Sequence, residues 1–289
     1  MSRSLALDTL ALKPVERFAH TEYSLEYHQA GLQRREGPEP DAQASLRELY
    51  NRWGLDFLWT VEDGLRGDWA KFGRCTDMGH AEYAADGSDL RAPKHCPFEV
   101  PEEVWEFDAV AEYGLPTLAE QVAAYEAWIQ QKRRDFPEQL CTGGYYKTIV
   151  SGAIQAFGWD MLLEAAAERD KMERVFDGFF RRTKFHMEAW AQTSVEAIIQ
   201  HDDFVWTAGA FMRPEIYREV IIPRYAELWK PLKRAGKKVL FCSDGDFREF
   251  AGDVVAAGAD GLIFEPVMDF AEMVARFGET TVLVGSDVD

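Results

Sequence analysis

Residues 238–265 read KVLFCSDGDFREFAGDVVAAGADGLIFE, and this stretch decides the fold. Its two apolar runs, 238–242 and 261–265, are short and rich in β-branched and aromatic residues, which favours buried strands. Between them, residues 247–259 have the longer amphipathic pattern of a helix. A strand, a helix and a second strand in this order indicate a βα unit and a parallel sheet.

The same alternation of short apolar runs and amphipathic stretches continues on both sides of this unit. It predicts seven strands in all, at residues 17–22, 56–62, 139–145, 195–201, 238–242, 261–265 and 281–285. It predicts helices at residues 42–54, 115–136, 159–192, 214–236, 247–259 and 270–278.

The number and order of these elements predict a (β/α)8 TIM barrel that lacks its last unit, because the sequence ends at GSDVD before an eighth βα unit of about 30 residues. A doubly wound open sheet is the alternative, although the first turn has no GxGxxG fingerprint. Residues 63–115, rich in Gly, Pro and charge, show no clear period and are predicted to be a long loop insertion. Residues 1–289 are therefore expected to form a single domain.

The composition indicates a globular protein that binds neither membranes nor nucleic acids. Hydrophobic residues make up 47% of the chain, and no apolar run approaches the length that spans a bilayer. The net charge of -18 repels phosphate backbones and anionic lipid. The N-terminus lacks a secretory pattern, and the four scattered cysteines form no CxxC pair. We expect a cytoplasmic protein with a small-molecule substrate; the oligomeric state stays open, with a homodimer as one option.

Polar side chains follow the predicted strands at their carboxyl ends, where barrels of this kind carry their chemistry. Carboxylates gathered there repel one another unless protons or a cation intervene. We therefore expect His201, Cys242, Asp244 and Glu265 to face one cavity. The full set of strand-end residues also includes His20, Glu22, Glu62, Asp63, Tyr145, Tyr146, Asp202, Asp203, Ser243 and Asp287.

Cys242 and Asp244 admit two interpretations. Two positions apart, they point to the same side of an extended segment, and a thiolate with His201 and a carboxylate is a zinc ligand set with an open position. Alternatively, Cys242 is a small buried hydrophobe, and Asp244 caps a helix beginning at Phe247. The two acids beside His201 favour a functional role for its imidazole over a simple hydrogen bond to a loop.

The chain from about residue 139 to its end, and more loosely its first third, resembles the uroporphyrinogen decarboxylase superfamily, which also includes corrinoid-linked and O-demethylating methyltransferases. The resemblance lies in the acidic pair 202–203, the segment PEIYREVIIPRY at 214–225, the Ser-Asp-Gly turn at 243–245, the GADG step at 258–261, and VGSDVD at the end. The superfamily implies a (β/α)8 barrel.

Within that superfamily, the chain looks closer to the methyltransferases than to the decarboxylases. The decarboxylases carry an Arg-Gln-Ala-Gly-Arg motif whose arginines meet the carboxylates of the substrate, whereas this chain has His28 and Leu32 in those two places. Methyltransferases that activate thiols hold zinc at a His-x-Cys-Gly turn, which here reads Cys-Ser-Asp-Gly at 242–245. Demethylating relatives keep the Ser-Asp-Gly turn that this chain has.

The resemblance implies an enzyme that moves a methyl group between a small methylated compound and a corrinoid protein or tetrahydrofolate. Uroporphyrinogen decarboxylation in porphyrin biosynthesis is the alternative, and a non-catalytic scaffold on the same barrel is a third class. The predicted catalytic residues are His201, Glu265, Glu62 and Asp202. The predicted substrate-binding residues are Tyr145, Tyr146, His28 and Asp287. The predicted metal ligands, for zinc, are Cys242, Asp244 and His201.

Overall fold

The structure is a computed structural model that describes residues 2–22, 42–63, 96 and 98–285. The strands are β1 (Phe57–Leu58), β2 (Glu62–Asp63), β3 (Leu140–Cys141), β4 (Gly143–Tyr146), β5 (Ala197–His201), β6 (Lys238–Cys242), β7 (Gly261–Ile263) and β8 (Val282–Val284). The helices are α1 (Arg3–Leu10), α2 (Ala42–Trp53), α3 (Pro101–Trp105), α4 (Ala109–Tyr113), α5 (Leu118–Asp135), α6 (Val150–Phe157), α7 (Trp159–Ala165), α8 (Arg169–Ala191), α9 (Pro214–Ile216), α10 (Ile222–Arg234), α11 (Ala251–Ala257) and α12 (Phe270–Phe277). A π-helical turn, Tyr217–Ile221, joins α9 to α10.

The strands pair in parallel and in chain order. One sheet runs β2-β4-β5-β6-β7-β8, and β1 pairs with β3 just before β2 pairs with β4. Successive βα units produce this order, whereas a doubly wound sheet reverses its direction at a switch point. The predicted α/β class with a parallel sheet is therefore confirmed. Within the described ranges, no pairing joins the two edges of the sheet, and no helix has the length and apolarity that crossing a membrane requires.

The predicted first strand, residues 17–22, is not a strand, and this is a correction to the sequence analysis. The segment does run beside β1, since the carbonyl of His20 accepts a hydrogen bond from the N–H of Asp56 at 2.7 Å. However, the N–H of His20 donates to the carboxylate of Asp56 at 2.9 Å, and Arg17 pairs with the same carboxylate at 2.6 Å. A fully buried carboxylate thus uses the donor that a regular ladder would need.

Several helices differ from the predicted ones. Helices α1 and α6 were not predicted, and the single helix predicted at 159–192 is two helices that break between Ala165 and Arg169. The carboxyl-terminal part of the predicted loop 63–115 contains α3 and α4. Each of these has five residues, too few to show a period, and α4 is fixed by Asp108, whose side chain accepts from the N–H of Val110 at 2.8 Å.

The two faces of the sheet pack into different apolar clusters. On the helix-covered face, Ile198 belongs to the large core. On the opposite face, Ile199 and Leu240 pack with Ala6 and Leu10 of α1. Because side chains alternate along a strand, the faces of these residues determine which strand-end side chains can meet.

Candidate active site

Tyr146, His201 and Cys242 form one row across β4, β5 and β6. The register pairs Tyr146 with His201 and His201 with Cys242, so the three side chains share one face at the carboxyl ends of their strands. The rings of Tyr146 and His201 stack with centroids 4.1 Å apart and planes 25° apart. This row brings the imidazole predicted to be functional to the edge where parallel sheets carry their chemistry.

His201, Asp203 and Asp244 form a compact group that we call the strand-end cluster. His201 Nε2 lies 2.8 Å from Asp203 Oδ1 and 3.9 Å from Asp244 Oδ1. Asp203 also accepts hydrogen bonds from the hydroxyl of Tyr146 at 2.7 Å and from the N–H of Asp244 at 3.0 Å. The side chains of His201 and Asp203 are 9% exposed and that of Asp244 is 42% exposed, so solvent and ligands reach the cluster through Asp244.

His201 and Asp203 stabilise each other in their charged forms. Burial lowers the pKa of His201, but its interactions with Cys242 and Asp203, including hydrogen bonds to both, outweigh this effect and raise the pKa well above 6.5. Burial raises the pKa of Cys242 itself, which keeps the thiol protonated and leaves Asp203 as the lasting anionic partner. Burial also raises the pKa of Asp203, but His201 and the N–H and hydroxyl donors lower it to about 2.

Asp244 has the opposite behaviour. Desolvation and the negative charges of Asp203 and Glu265 raise the pKa of its carboxyl from 3.8 to about 7, although His201 acts to lower it. A carboxyl with this pKa holds and releases a proton near neutral pH, which is the property of a general acid or base. The cluster therefore pairs a permanently ionised carboxylate with a carboxyl that exchanges its proton.

Glu265 is exposed and follows β7 at the edge of the cluster. Its Oε2 accepts a hydrogen bond from the N–H of Gly245 at 3.0 Å, which fixes its carboxylate against the turn that carries Asp244. This contact places a negative charge where it acts on the titration of Asp244. The sequence predicted that Glu265 donates or accepts a proton in the reaction. The structure shows that its carboxylate contacts the turn that carries Asp244.

Cys242 lies in the same row as Tyr146 and His201. It is 3% exposed and packs with Leu240 and Ile263 in the apolar cluster on the face opposite the helices, which we call the inner apolar cluster. Among the residues that the structure describes, His201, Asp203 and Asp244 can offer metal ligand atoms within 4.8 Å of one another. In this group Asp203 takes the place of Cys242 in the set predicted from the sequence. Burial raises the pKa of the Cys242 thiol, and the zinc set that includes its thiolate stays a prediction.

Asp202, predicted to be catalytic, faces the opposite side of the sheet from its two neighbours. It is fully buried, and its oxygens accept hydrogen bonds from the N–H groups of Ile149 and Ser151 at 3.1 and 2.7 Å and from the hydroxyl of Tyr225 at 2.6 Å. These donors belong to the start of α6 and to α10. The side chain of Asp202 therefore bonds to these two helical segments, and among the described residues it makes no hydrogen bond to the cluster.

The predicted substrate-binding residues have different placements. Tyr146 contacts the cluster through Asp203 and His201, whereas the ring of Tyr145 is buried on the helix-covered face and stacks on His186 at 4.4 Å. His28 and Asp287 lie outside the described residues, so their roles stay predictions.

Glu62, predicted to be catalytic, is described only by its backbone. The register pairs Glu62 with Tyr145 and Asp63 with Tyr146. It is therefore Asp63 whose register position falls in the row of Tyr146, His201 and Cys242.

Asp203 is the member of the cluster to which the sequence analysis gave no role. The signal was present in the HDD triplet at 201–203, since positions two apart in an extended segment share a face. That spacing groups Asp203 with His201 and separates Asp202 from both. The predicted catalytic residue, Asp202, is instead the aspartate that faces the helices.

Comparison with known proteins adds two findings. A family model described as Uroporphyrinogen decarboxylase (URO-D) matches residues 156–286, a range that includes the strand-end cluster. Among 18 matching chains of solved structures is a methyltransferase from Methanosarcina mazei, with 15% sequence identity, a TM-score of 0.63, and coverage of 98% of this chain and 81% of that chain. A comparison with curated protein sequences finds no match. At 15% identity, the structural likeness shows a shared fold.

Proposed function

We propose that this chain is a member of the uroporphyrinogen decarboxylase superfamily, whose family model matches residues 156–286, and that it is a methyltransferase that moves a methyl group between a small methylated compound and a corrinoid protein or tetrahydrofolate. The observation that carries the proposal is the convergence of His201, Asp203 and Asp244 at the carboxyl edge of the sheet. The chain-ordered parallel strands support a (β/α)8 barrel, in which this edge is the site of the chemistry.

The proposed reaction needs a proton at the heteroatom from which the methyl group leaves. When the methyl group is transferred as a cation, the bond to oxygen, nitrogen or sulfur breaks and both bonding electrons stay on the heteroatom. A positioned acid that protonates this atom typically contributes about 10² to 10⁴ in rate. In the reverse direction the same group takes the proton from the heteroatom that accepts the methyl group.

Asp244 is the proposed proton donor, because it is the most exposed member of the cluster and its carboxyl pKa is about 7. His201, held in its charged form by Asp203, supplies positive charge beside the developing anion. Glu265 tunes Asp244 through its contact with Gly245. The carrier supplies or takes up the methyl group when it is bound. No step is assigned to zinc, since burial raises the pKa of the Cys242 thiol and Cys242 is not in the group that can offer ligand atoms.

Uroporphyrinogen decarboxylation is the second candidate, favoured by the description of the family model that matches residues 156–286. Two features oppose it. The sequence has His28 and Leu32 at the positions of the two motif arginines, and the cluster presents the carboxyl groups of Asp203 and Asp244 to a substrate that is itself a polycarboxylate. Like charges brought together in this way weaken binding.

Purified protein incubated anaerobically with a reduced corrinoid protein as the methyl acceptor and, in separate reactions, with a methoxy or a methylamine compound as the methyl donor tests the proposal. Methyl transfer that is lost in Asp244→Asn and kept in Asp246→Asn is the expected result, since Asp246 lies in the same turn but pairs with Arg248 at 2.5 Å. A parallel incubation with uroporphyrinogen tests the alternative. Formation of coproporphyrinogen at about one turnover per second or faster, without methyl transfer, overturns the proposal.

A further inference from the structure

The side chain of Asp202 makes an unusually complete set of hydrogen bonds for a residue between two members of the cluster. Oδ1 accepts from the N–H and the hydroxyl of Ser151, both at 2.7 Å. Oδ2 accepts from the N–H groups of Ile149 and Val150 at 3.1 and 3.2 Å and from the hydroxyl of Tyr225 at 2.6 Å. Five donors occupy the acceptor sites of a fully buried carboxylate.

The main chain of Asp202 is fixed as well. Its N–H donates to the carbonyl of Cys242 at 3.0 Å, which ties the end of β5 to the end of β6. Because successive side chains alternate, a main chain held at Asp202 directs His201 and Asp203 together to the other face. Asp202 therefore holds in place the main chain from which the side chains of His201 and Asp203 extend.

The donors to Asp202 lead back to the cluster through β4. Residues 149–151 begin only three positions after Tyr146, whose hydroxyl donates to Asp203 at 2.7 Å and whose ring stacks on His201. The contacts close a circuit that runs from Asp202 to the start of α6, to Tyr146, to Asp203, and back along the main chain. A shift at any point of a closed circuit of this kind changes the others.

We infer that Asp202 is a positioning residue that holds Tyr146 and Asp203 in register, and so sets the hydrogen bond between Asp203 and His201. The inference goes beyond the proposed methyl transfer, because it concerns the geometry of the cluster whatever reaction the cluster performs. Side chains of a catalytic group keep a productive geometry only when neighbouring hydrogen bonds fix them. A residue that only caps α6 would stabilise the fold without acting on His201.

The test uses Asp202→Asn in the full chain and needs no substrate. The amide keeps the size of the side chain, but its NH2 group faces N–H and hydroxyl donors and so repels part of the set. The imidazole signals of His201, followed by side-chain nitrogen NMR at one pH, report its hydrogen bond to Asp203. We expect Asp202→Asn to shift these signals in the same direction as Tyr146→Phe, which removes the hydroxyl from Asp203 directly.

Two milder variants and one internal reference complete the test. Ser151→Ala and Tyr225→Phe each remove one hydroxyl donor and leave the carboxylate in place, so they are expected to give smaller shifts of the same sign. His186, whose Nδ1 lies 2.7 Å from the hydroxyl of Tyr125 on the helix-covered face, serves as the reference and should not move.

A lowered melting temperature with unchanged His201 signals in all three Asp202-directed variants would overturn the inference and leave Asp202 as a helix cap. If Asp202→Asn fails to fold, the two milder variants decide by the same criterion. Loss of methyl transfer plays no part in this readout, so a failure of the proposed function is separate from a failure of this inference.

Discussion

The main-chain N–H of Asp244 donates to the carboxylate of Asp203 at 3.0 Å, and the pKa values of the two carboxyl groups are shifted in opposite directions. The pKa of Asp203 is about 2, because His201 and several donors stabilise its charge against burial. The pKa of Asp244 is about 7, because desolvation and the charge of Asp203 disfavour its ionised form. Two neighbouring carboxyls whose environments separate their pKa values can divide the roles of fixed charge and exchangeable proton.

Asp244→Asn is expected to remove the alkaline limb of the pH profile of methyl transfer. In the direction that releases the small product, the protonated carboxyl is the active form, so kcat should fall as pH rises through about 7. The variant has no such group, so its rate should be lower by about 10² to 10⁴ and should lose this limb. Steady-state rates between pH 5.5 and 8.5 measure both effects. A variant that keeps the limb would show that another group titrates.

Glu265→Gln is expected to lower the pKa of Asp244. The negative charge of Glu265 raises that pKa, and glutamine removes the charge while its carbonyl can still accept from the N–H of Gly245. The limb near pH 7 should therefore move to lower pH with the turn intact. Glu249→Gln is the control, since Glu249 is exposed and pairs with Arg218 at 3.0 Å. An unchanged limb in Glu265→Gln, or an equal shift in the control, would contradict the assignment.

The same titration predicts that Asp244 costs stability at high pH. The carboxyl has a pKa of about 7 in the folded protein and an ordinary value of 3.8, so between these values the fold holds a proton that the unfolded chain releases. Unfolding is therefore favoured increasingly as pH rises through this window, and the full cost is present above about 7. Asp244→Asn should raise the melting temperature at pH 8 by more than at pH 5. A larger gain at pH 5 would reverse the predicted sign.

The parallel sheet could be predicted from the sequence because its strands are largely buried and are separated by amphipathic helices, as residues 238–265 show. The strand predicted at residues 17–22 was wrong for a physical reason. Its apolar and β-branched residues suit a strand, but the buried carboxylate of Asp56 takes the N–H of His20 and the guanidinium of Arg17. Such a tertiary contact spans 36 residues, and a local pattern does not contain it.

The site was partly predictable on the same basis. Strand ends identified His201 and Asp244, because every parallel strand delivers its last residues to one edge. The face to which each side chain points could be assigned only from the register of the strands, which places Tyr146 beside His201 of the cluster and Tyr145 among the helices. The choice of Asp202 over Asp203 failed to use the alternation of the HDD triplet, and the five donors of Asp202 come from segments far away in sequence.

Cys242→Ser is expected to leave metal binding unchanged. The thiol is 3% exposed in the inner apolar cluster and its pKa is raised by burial, so it is not available as a thiolate ligand. Zinc titrations monitored by calorimetry, with elemental analysis of the purified protein, compare the variant with the wild type. Asp203→Asn is the matched comparison, since Asp203 belongs to the group that can offer ligand atoms. Zinc binding that depends on Cys242 would restore the thiolate set.

Gly245→Ala is expected to disrupt the turn that carries Asp244. Gly245 has φ +79°, and a Cβ atom there would lie 2.5 Å from the carbonyl oxygen of Trp206, which is backbone and cannot move aside like a side chain. The substitution should destabilise the protein by more than about 1 kcal/mol. It should also lower the rate of methyl transfer, because it displaces Asp244.

Gly252→Ala is the matched control for this prediction, because Gly252 lies within α11 and a Cβ atom there meets nothing within 4 Å. It should be neutral or stabilise by about 0.4 to 1 kcal/mol, through the smaller conformational entropy of the unfolded chain. Urea unfolding gives both free energies, and the pH profile shows whether Asp244 is displaced. Equal stabilities for the two variants would mean that the contact between Gly245 and Trp206 does not hold the turn, and the position of Asp244 would then depend on its hydrogen bond to Asp203 and on Glu265.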